Sequence, residues 1–523
     1  MLVWLLALPI LGVGLGWGVD RDVSLIAGDR ILRGEWPYQD FWTLYAPGSG
    51  FAVAATFAVL GRELLAVHGV AVVLASLSVA AFYRLLRAVG AISPVAVGGA
   101  AVFTFAIWTP SPPIDSYAVT RLLLLVGFER VLAALRGDTS RPAWAAGCAF
   151  GLAAWFKHDV GAYAALGSAC ALWLAAGRGA WLPLRGLALG CAVFVLPACV
   201  GVALIGGEEA WQSLLLFPAT DFASVRGEAY PSFWRPSLVG WEGAGASSLS
   251  GLYALGRAVL ALATWGQAVL PELLFVGWLV QAVVRRRVWG GEWLAVACLP
   301  LFWGAAHVQQ NTHLTSMGIL CAVLLVQWRD REQVGVVRGA LLAVAAALAV
   351  SFVAPSAVAF ARMSLEQRDG VTLDLPGARG IRVSRRQAEV YHAIVPRLRR
   401  EVPVGEAIHV SLARHDAVII GDPRFYFLAD RSPATRYHEL HPGVVDRDDV
   451  QREMVDALER AGVRFVVRWR FGWPDSRLDE ILARRRRDLP AVGARRLDDY
   501  LNRHFEVVER HGEFDLLRRR SAR

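Results

Sequence analysis

Residues 142–177 read PAWAAGCAFGLAAWFKHDVGAYAALGSACALWLAAG, with Lys157, His158 and Asp159 at the centre of an otherwise apolar stretch. A membrane-spanning helix needs about 20 apolar residues, so this stretch is long enough for one tilted helix or two short ones. A single helix would place three ionisable side chains in the middle of the bilayer, which is costly. We therefore predict two short spans, 142–156 and 160–177, that meet at a turn on the outer face.

On the same length scale the whole chain contains eleven predicted spans. They cover residues 2–19, 64–83, 94–109, 117–135, 142–156, 160–177, 186–205, 268–284, 293–306, 313–328 and 337–355. Arginines are concentrated in every second connection, and the opposite loops are acidic or neutral. By the positive-inside rule the N-terminus is cytoplasmic. Because the number of spans is odd, residues 356–523 are then periplasmic.

The distribution of charge separates the chain into two domains. Residues 1–355 contain 41 of the 99 Asp, Glu, Lys and Arg residues, and residues 356–523 contain the other 58. A hydrophobic content of 55% excludes a disordered chain and argues against an ordinary soluble enzyme. We predict a polytopic α-helical membrane domain over 1–355, with outer loops 20–63 and 206–252, and a soluble α/β domain over 356–523.

The soluble domain contains both strand and helix patterns. IHVSL (408–412), FYFLADR (425–431) and VRFVVRW (463–469) are predicted strands, and Asp446–Ala461 has a helical period with Asp446 as its N-cap. Arginines in this domain alternate with 26 acidic residues, so the sequence does not favour a nucleic acid partner.

Two carboxylates, Asp20 and Asp22, directly follow the first predicted span. At the outer mouth of a membrane domain, a carboxylate can act as general base toward an acceptor hydroxyl, or can hold a divalent metal such as Mg or Mn. Asp29 and Glu35 lie further along the same loop, and there we expect a solvated acidic surface.

Lys157 is the only lysine among 54 basic residues. Arginine replaces lysine easily at most exposed positions, but a site that needs a compact ammonium does not accept a guanidinium fork. Composition alone leaves open whether this lysine is retained for its chemistry or by chance.

The N-terminal part of the chain resembles the GT-C glycosyltransferases. An acid after the first span, the sequence I31-L32-R33-G34-E-W-P-Y38-Q-D40-F, a Pro-containing turn and an apolar helix ending in L60-G61 are similar to the family 39-like branch. That branch includes protein mannosyltransferases, the lipid A aminoarabinose transferase and the bacterial RgtA/B/C/D-like group. The resemblance covers roughly residues 1–330, and it implies a membrane enzyme that takes a sugar from a polyprenyl-phosphate carrier.

Carried over residue by residue, the resemblance places the family's first-loop acid on Asp20. The family commonly has an Asp-Glu pair here, whereas this chain has Asp20-Arg21-Asp22, so both acids remain candidates for the catalytic base. The family's tyrosine and acid before the turn fall on Tyr38 and Asp40, which implies a role in binding substrate. Its usual turn is replaced by Ala46-Pro47-Gly48.

The family's lysine after the fifth span falls on Lys157. A fixed ammonium at the membrane surface would stabilise the negative charge that develops on a departing lipid phosphate. His158 and Asp159 either orient this ammonium or form a local salt bridge. A family histidine after the ninth span falls on His313, where the alternatives are a hydrogen bond to sugar or phosphate and a polar interfacial turn.

Three further features have two interpretations each. Asp115 either contacts the acceptor or a metal, or caps the next helix. Arg121 is either a second phosphate ligand or a side chain that extends to the interface. The segment R431-S-P-A-T-R-Y-H-E-L-H-P-G443 either contacts an acceptor glycan or forms a structured loop.

These expectations together describe an inverting glycosyltransferase of a bacterial inner membrane that transfers a sugar from a polyprenyl-phosphate carrier to a glycan, lipid or protein. One alternative is a transporter or flippase of lipid-linked sugars, and another is a non-catalytic envelope assembly protein. The sequence has no internal repeat of the kind found in many transporters. Eleven spans are more than an anchor requires.

Overall fold

A computed structural model describes residues 12, 19–107, 114–137, 140–220, 273–280, 283–284, 290–307, 324–326, 335–347, 349–350, 353, 370–416, 421–441, 443–470 and 493–521. Within these ranges, the side chains of residues 19–21, 178, 290–292 and 302–307 are not described. Most of the predicted spans 2–19 and 313–328 and part of 268–284 therefore lie outside the described residues.

The described residues of the N-terminal two thirds of the chain are mainly helical. The helices are α1 (Val19–Leu32), α2 (Gly48–Leu60), α3 (Leu64–Ala88), α4 (Ser93–Ile107), α5 (Ser116–Gly137), α6 (Ser140–Ala154), α7 (His158–Ala176), α8 (Trp181–Trp211), α9 (Phe217–Thr220), α10 (Gly290–His307) and α11 (Gly335–Ala347). A 3₁₀ turn over Gly177–Ala180 precedes α8, and a π turn over Gln212–Leu216 follows it. By length and composition, three described helices can cross a membrane: Leu64–Ala88, His158–Ala176 and the continuous stretch Trp181–Thr220.

The break between α6 and α7 is the predicted one. α6 ends at Ala154, and α7 begins at His158 with Lys157 in extended conformation at its N-cap position. Two helices rather than one therefore run through 142–177, and Lys157 lies in the turn between them. Within the region predicted as the first outer loop, 20–63, the structure has the helices α1 and α2.

Helices α6 and α8 pack closely because glycines face each other across their interface. A Cβ atom at Gly147 would lie 2.1 Å from the backbone oxygen of Leu187, and one at Gly190 would lie 2.1 Å from that of Trp144. Small residues of this kind let membrane helices approach backbone to backbone. This contact fixes α8 against the helix that leads into the Lys157 turn.

Replacing Gly147 tests this packing. Gly147→Ala is expected to destabilise the protein by about 1–3 kcal/mol, because the new methyl group meets backbone that cannot rotate away. Gly201→Ala on α8 is the matched control, because a Cβ atom there has no neighbour within 4 Å. Thermal unfolding in detergent measures both changes, and an equal Tm for Gly147→Ala and wild type would contradict the close contact.

The soluble domain is a four-stranded sheet with helices on both faces, preceded by a small two-stranded sheet of β1 (Val371–Leu373) and β2 (Ile381–Val383). Its strands are β3 (His409–Leu412), β4 (Phe465–Trp469), β5 (Phe505–His511) and β6 (Phe514–Arg519). Its helices are α12 (Arg385–Glu401), α13 (Arg424–Ala429), α14 (Asp448–Arg460) and α15 (Arg496–His504). The strand order is β3-β4-β6-β5, with β3 parallel to β4 and the other pairs antiparallel.

Two predictions about local structure are wrong. FYFLADR forms the short helix α13 instead of a strand, and its side chains are buried all round, which masks the helical period. Asp446 is not at the N-cap position of the following helix, which begins at Asp448 with Arg447 as its N-cap; the backbone oxygen of Asp446 accepts a hydrogen bond from Ala494 N at 2.7 Å. In the segment predicted as the second outer loop, helical structure is interrupted at Gly207, where φ is 45°, and continues to Thr220.

Helix α1 lies between the membrane helices and the soluble domain. One hydrophobic cluster joins Leu25 and Ile26 of α1 to Val53 of α2 and to Phe425 and Phe427 of α13. The rings of Phe57 and Phe427 stack with centroids 5.5 Å apart. The soluble domain therefore packs directly on the first outer loop through a shared apolar core.

Acid is expected to loosen the soluble domain through His409. This side chain on β3 is fully buried, and burial lowers the pKa of His409 to about 3. The folded state therefore binds this proton less readily than the unfolded state, whose histidine pKa is about 6.5. The free energy of unfolding therefore keeps its full value above about pH 6.5. It falls by about 1.4 kcal/mol per pH unit as the pH decreases toward 3.

Hydrogen exchange of the β3 and β4 peptides in the full-length protein measures this effect. Protection factors, which correct for the intrinsic fall of amide exchange toward low pH, should decline between pH 6.5 and 4 in wild type. His409→Gln, which cannot be protonated in this range, should flatten that decline. The exposed His392 provides the control, and His392→Gln should keep the wild-type slope. The same slope in His409→Gln and wild type would disprove the role of His409.

Candidate active site

The Lys157 turn is held by its own backbone. Lys157 N donates a hydrogen bond to Ala153 O at 2.9 Å, and its carbonyl accepts one from Gly161 N at 3.1 Å. The side chain of Trp155 donates from Nε1 to Phe194 O of α8 at 2.7 Å. A turn with hydrogen bonds on both sides can hold an ammonium group in a fixed place.

The Lys157 ammonium lies in a largely buried pocket of mixed character. Only 8% of the residue is exposed, and Nζ is 3.6 Å from Asp159 Oδ1. Nζ also lies 5.1 Å from the centroid of the Tyr117 ring, on the first turn of α5. The aromatic face attracts the cation and leaves it able to donate hydrogen bonds to a further anion.

Asp115 has the capping role. Its Oδ1 accepts hydrogen bonds from Tyr117 N at 3.0 Å and Ala118 N at 2.8 Å. Asp115 also interacts electrostatically with Arg121, which lies further along α5. The hydroxyl of Ser116 is buried beside this cap, and no described group forms a hydrogen bond with it.

The first outer loop docks on the Lys157 turn at Gly48. Gly48 N donates to Trp155 O at 2.8 Å, and a Cβ atom at this position would lie 2.5 Å from that oxygen. Ser49 Oγ is hydrogen-bonded to Ser24 Oγ of α1 at 3.1 Å. The N-termini of α2, α5 and α7 are thereby gathered around one turn, with α1 beside them. Helix N-termini carry partial positive charge.

Asp20 and Asp22 occupy different sides of α1. Asp20 is the second residue of the helix, one turn before Ser24, and its side chain is not described. Asp22 is 7% exposed and lies 3.7 Å from the guanidinium Nε of Arg424 in the soluble domain. Successive residues rotate by about 100° around a helix, so positions 20 and 22 differ by about 200°.

The remaining charges in and beside α1 pair partly within the N-terminal part of the chain and partly across the domain boundary. Asp29 accepts hydrogen bonds from Arg33 and Arg62, and Arg33 Nη2 donates to Asp430 Oδ1 at 2.6 Å. Although partial burial acts in the opposite direction, the hydrogen bond from Arg33 lowers the pKa of Asp430. Asp29 is buried and paired, so the predicted solvated acidic surface is wrong at this position.

Segment 431–443 also binds the first loop. Arg30 Nη1 donates to Thr435 O at 3.4 Å, and Arg436 Nη2 donates to Tyr38 O at 3.1 Å. Arg436 also forms an ion pair with Glu209 at 3.4 Å, beyond the kink of α8 at Gly207. The segment thus forms structural contacts between the two domains.

Tyr38 and Asp40 close the first loop on itself. Tyr38 has a positive φ of 67°, and its buried hydroxyl donates to Tyr45 O at 2.7 Å. Burial raises the pKa of Tyr38 far above its ordinary value, so this hydroxyl stays a donor. Asp40 Oδ2 accepts a hydrogen bond from Trp36 N at 2.7 Å.

The other predicted site residues are described only in part. The ring of His158 interacts with the backbone of Leu214 in the π turn after α8. His313 lies outside the described residues, and His307 ends α10 without a described side chain. Among the described residues, no group of three or more His, Cys, Asp or Glu side chains is placed to hold a metal ion.

Sequence reasoning missed several residues of this region. Tyr117, Ser24 and Ser49 carry no motif, and Arg424 is one of 53 arginines. Only the buried position of these residues distinguishes them.

The described helices and the α/β domain that packs on their first loop together define the fold of this chain. Neither a family model nor a curated protein matches the sequence. The structure is similar to that of ArnT from Cupriavidus metallidurans bound to undecaprenyl phosphate, with a TM-score of 0.50 and 13% identity over 100% of this chain and 96% of that one. ArnT from the same organism in the apo state gives 0.45 and 15% identity, over 99% and 97% of the two chains. At this level of identity the first comparison establishes the fold.

The contact between Gly48 and the Lys157 turn can be tested by chemical labelling, since Lys157 is the only lysine. Gly48→Ala should increase modification of Lys157 by an amine-reactive reagent several-fold, because the added methyl group separates the loop from the Trp155 carbonyl. The matched control is Gly69→Ala on α3, where a Cβ atom has open space. Mass spectrometry of the 142–177 region gives the readout. Equal labelling in both variants would contradict the contact.

Proposed function

We propose that the protein is an integral membrane glycosyltransferase that moves a sugar from a polyprenyl-phosphate carrier to an acceptor hydroxyl, with inversion at the anomeric carbon. The acceptor is a cell-envelope glycan, lipid or protein on the periplasmic face of a bacterial inner membrane. The fold shared with ArnT bound to undecaprenyl phosphate supports this class of donor.

The observation that carries the proposal is the placement of Lys157. Its ammonium is largely buried, is held by a hydrogen-bonded turn, and lies where three helix N-termini meet. Helix N-termini and a fixed ammonium together form a favourable site for a phosphate group. Asp159 lies at 3.6 Å and balances the charge when no phosphate is bound.

The proposed reaction is a single displacement. The Asp20 carboxylate accepts the proton of the acceptor hydroxyl, and the hydroxyl oxygen forms a bond to the anomeric carbon. The bond from that carbon to the phosphate oxygen breaks, and its electron pair leaves with the lipid phosphate. The phosphate thereby gains negative charge, which Lys157 stabilises most strongly in the transition state. Attack from the side opposite the leaving group inverts the configuration.

The other candidate residues take supporting roles in this proposal. Arg121 is a second cation for the phosphate, and Asp115 caps α5 and orients Arg121. His158 steadies the Lys157 turn against the Leu214 backbone. Tyr38 and Asp40 shape the loop over the substrate, and His313 donates a hydrogen bond to sugar or phosphate.

Transfer from labelled polyprenyl-phosphate sugars in membranes tests the proposal. Asp20→Asn should lower transfer by roughly 10²–10⁴-fold, because the amide cannot accept the proton. Lys157→Ala should lower it by roughly 10²–10³-fold, the usual effect of removing one charge-stabilising donor. Arg185→Ala, at an exposed position near the start of α8, is the control for loss of a cation and should leave transfer unchanged.

The outcomes separate the proposed enzyme from its alternatives. Undiminished transfer by Asp20→Asn would reject Asp20 as the base. A wild-type protein that uses no donor in the presence of envelope acceptors would favour a transporter of lipid-linked sugars or an assembly protein.

A further inference from the structure

The second acid of the Asp20-Arg21-Asp22 motif is directed into the soluble domain. Asp22 is buried and lies 3.7 Å from Arg424 Nε. Position 20 lies on the other side of the same helical turn, about 200° around the axis. A contact that holds Asp22 therefore also sets the direction in which position 20 faces.

Arg424 is itself fixed before it meets Asp22. The residue is 5% exposed, and its Nε and Nη2 atoms donate to the two oxygens of Asp422 at 2.6 and 2.9 Å. Tyr391 Oη donates to Asp422 Oδ2 at 2.6 Å, which orients the carboxylate from the side of α12. A two-point contact between guanidinium and carboxylate restricts rotation of both groups.

We propose that Arg424 is a positioning residue that holds Asp22 and thereby fixes the rotation of α1, and with it the direction of position 20 relative to the Lys157 turn. This inference rests on the proposed function and deepens it, because it gives Asp22 a role other than that of catalytic base. It also gives the soluble domain a direct part in assembling the active site.

The geometry along α1 supports a local role for this pair. The other ion pairs of the helix, at Asp29 and Arg33, lie two to three turns further toward its C-terminus. At 1.5 Å per residue, Asp29 is about 13 Å along the axis from Asp20, whereas Asp22 is about 3 Å from it along the axis. Among the charged residues of α1 whose partners are described, Asp22 lies nearest to Asp20.

The test uses the full-length protein in lipid nanodiscs with a labelled polyprenyl-phosphate sugar. Asp22→Asn, Arg424→Gln and the double variant are compared with wild type for kcat, donor KM and pH profile. Each single variant should lower kcat about 10-fold with little change in donor KM, because only the geometry of the base is disturbed. The double variant should be no slower than the slower single variant.

The pH profile distinguishes positioning from a loss of general stability. Arg424→Gln removes the positive charge that compensates the Asp22 carboxylate. The acid limb of the kcat/KM profile should therefore move to higher pH. Asp22→Asn removes a negative charge, so the acid limb should move to lower pH. Each shift should be about 0.3 pH unit, the effect of one charge about 10 Å away in water. Arg424→Lys, which keeps the charge but not the two-point contact, should have an intermediate kcat and an unshifted limb.

Arg62→Gln is the matched control, because it breaks another ion pair of α1 without changing charge near Asp20. The inference would be overturned if Arg424→Gln and Arg62→Gln lowered kcat equally and left the acid limb of the pH profile unshifted. Both changes would then act through domain docking alone. Abolition of transfer by Asp22→Asn would also overturn it and make Asp22 the base.

Thermal unfolding of the same variants separates a wrong contact from a wrong function. Non-additive Tm shifts in the Asp22 and Arg424 variants would verify the contact, and additive shifts would reject it and the inference with it. The Tm shifts could be non-additive while the wild-type protein transfers sugar from no donor. The contact would then be verified, but the proposed function would be rejected, and the positioning role with it.

Discussion

The buried charges of α1 are the constraint on which the rest of the structure depends. Asp22, Asp29 and Arg30 each have less than a tenth of their surface exposed. Isolated charges in such a position would cost several kcal/mol each, and only well-placed partners offset that cost. Asp22 pairs with Arg424 of the soluble domain, whereas Asp29 pairs with Arg33 and Arg62, and Arg30 pairs with Glu35. Arg30 and Arg62 also donate hydrogen bonds to backbone oxygens of the soluble domain, at Thr435 and Phe427. Both domains therefore contribute partners to the charges of α1.

This docking gives the membrane domain a defined outer face. The first loop is pressed on the Lys157 turn through Gly48, and the soluble domain covers the other side of the loop through Phe427 and Arg436. The result is one ammonium beside several helix N-termini, with the first turn of α1 close by. Such an arrangement suits a reaction in which a membrane-embedded phosphate leaves while a polar acceptor approaches from outside.

Local patterns in the sequence predicted the features that depend on local physics. The cost of a charged triplet in a bilayer predicted the break at Lys157, and strand patterns predicted β3 and β4. The aromatic run at 425–428 suggested a strand because a short helix buried on all sides has no period to detect. The roles of Arg424, Arg62 and Asp29 depend on partners far away in the chain, and no local pattern contains that information. The resemblance identified the fold. That Asp22, the second acid of the motif, forms an ion pair became evident only from its contact with Arg424.

The central claim is that Lys157 binds the lipid phosphate, and the affinity for undecaprenyl phosphate tests it most directly. The dissociation constant is measured for the full-length protein in detergent, for wild type, Lys157→Met and the control Arg185→Met. Loss of a charge-assisted hydrogen bond predicts binding weaker by roughly 10- to 100-fold in Lys157→Met and unchanged in Arg185→Met. Wild-type affinity in Lys157→Met would contradict the assignment of this lysine to the phosphate.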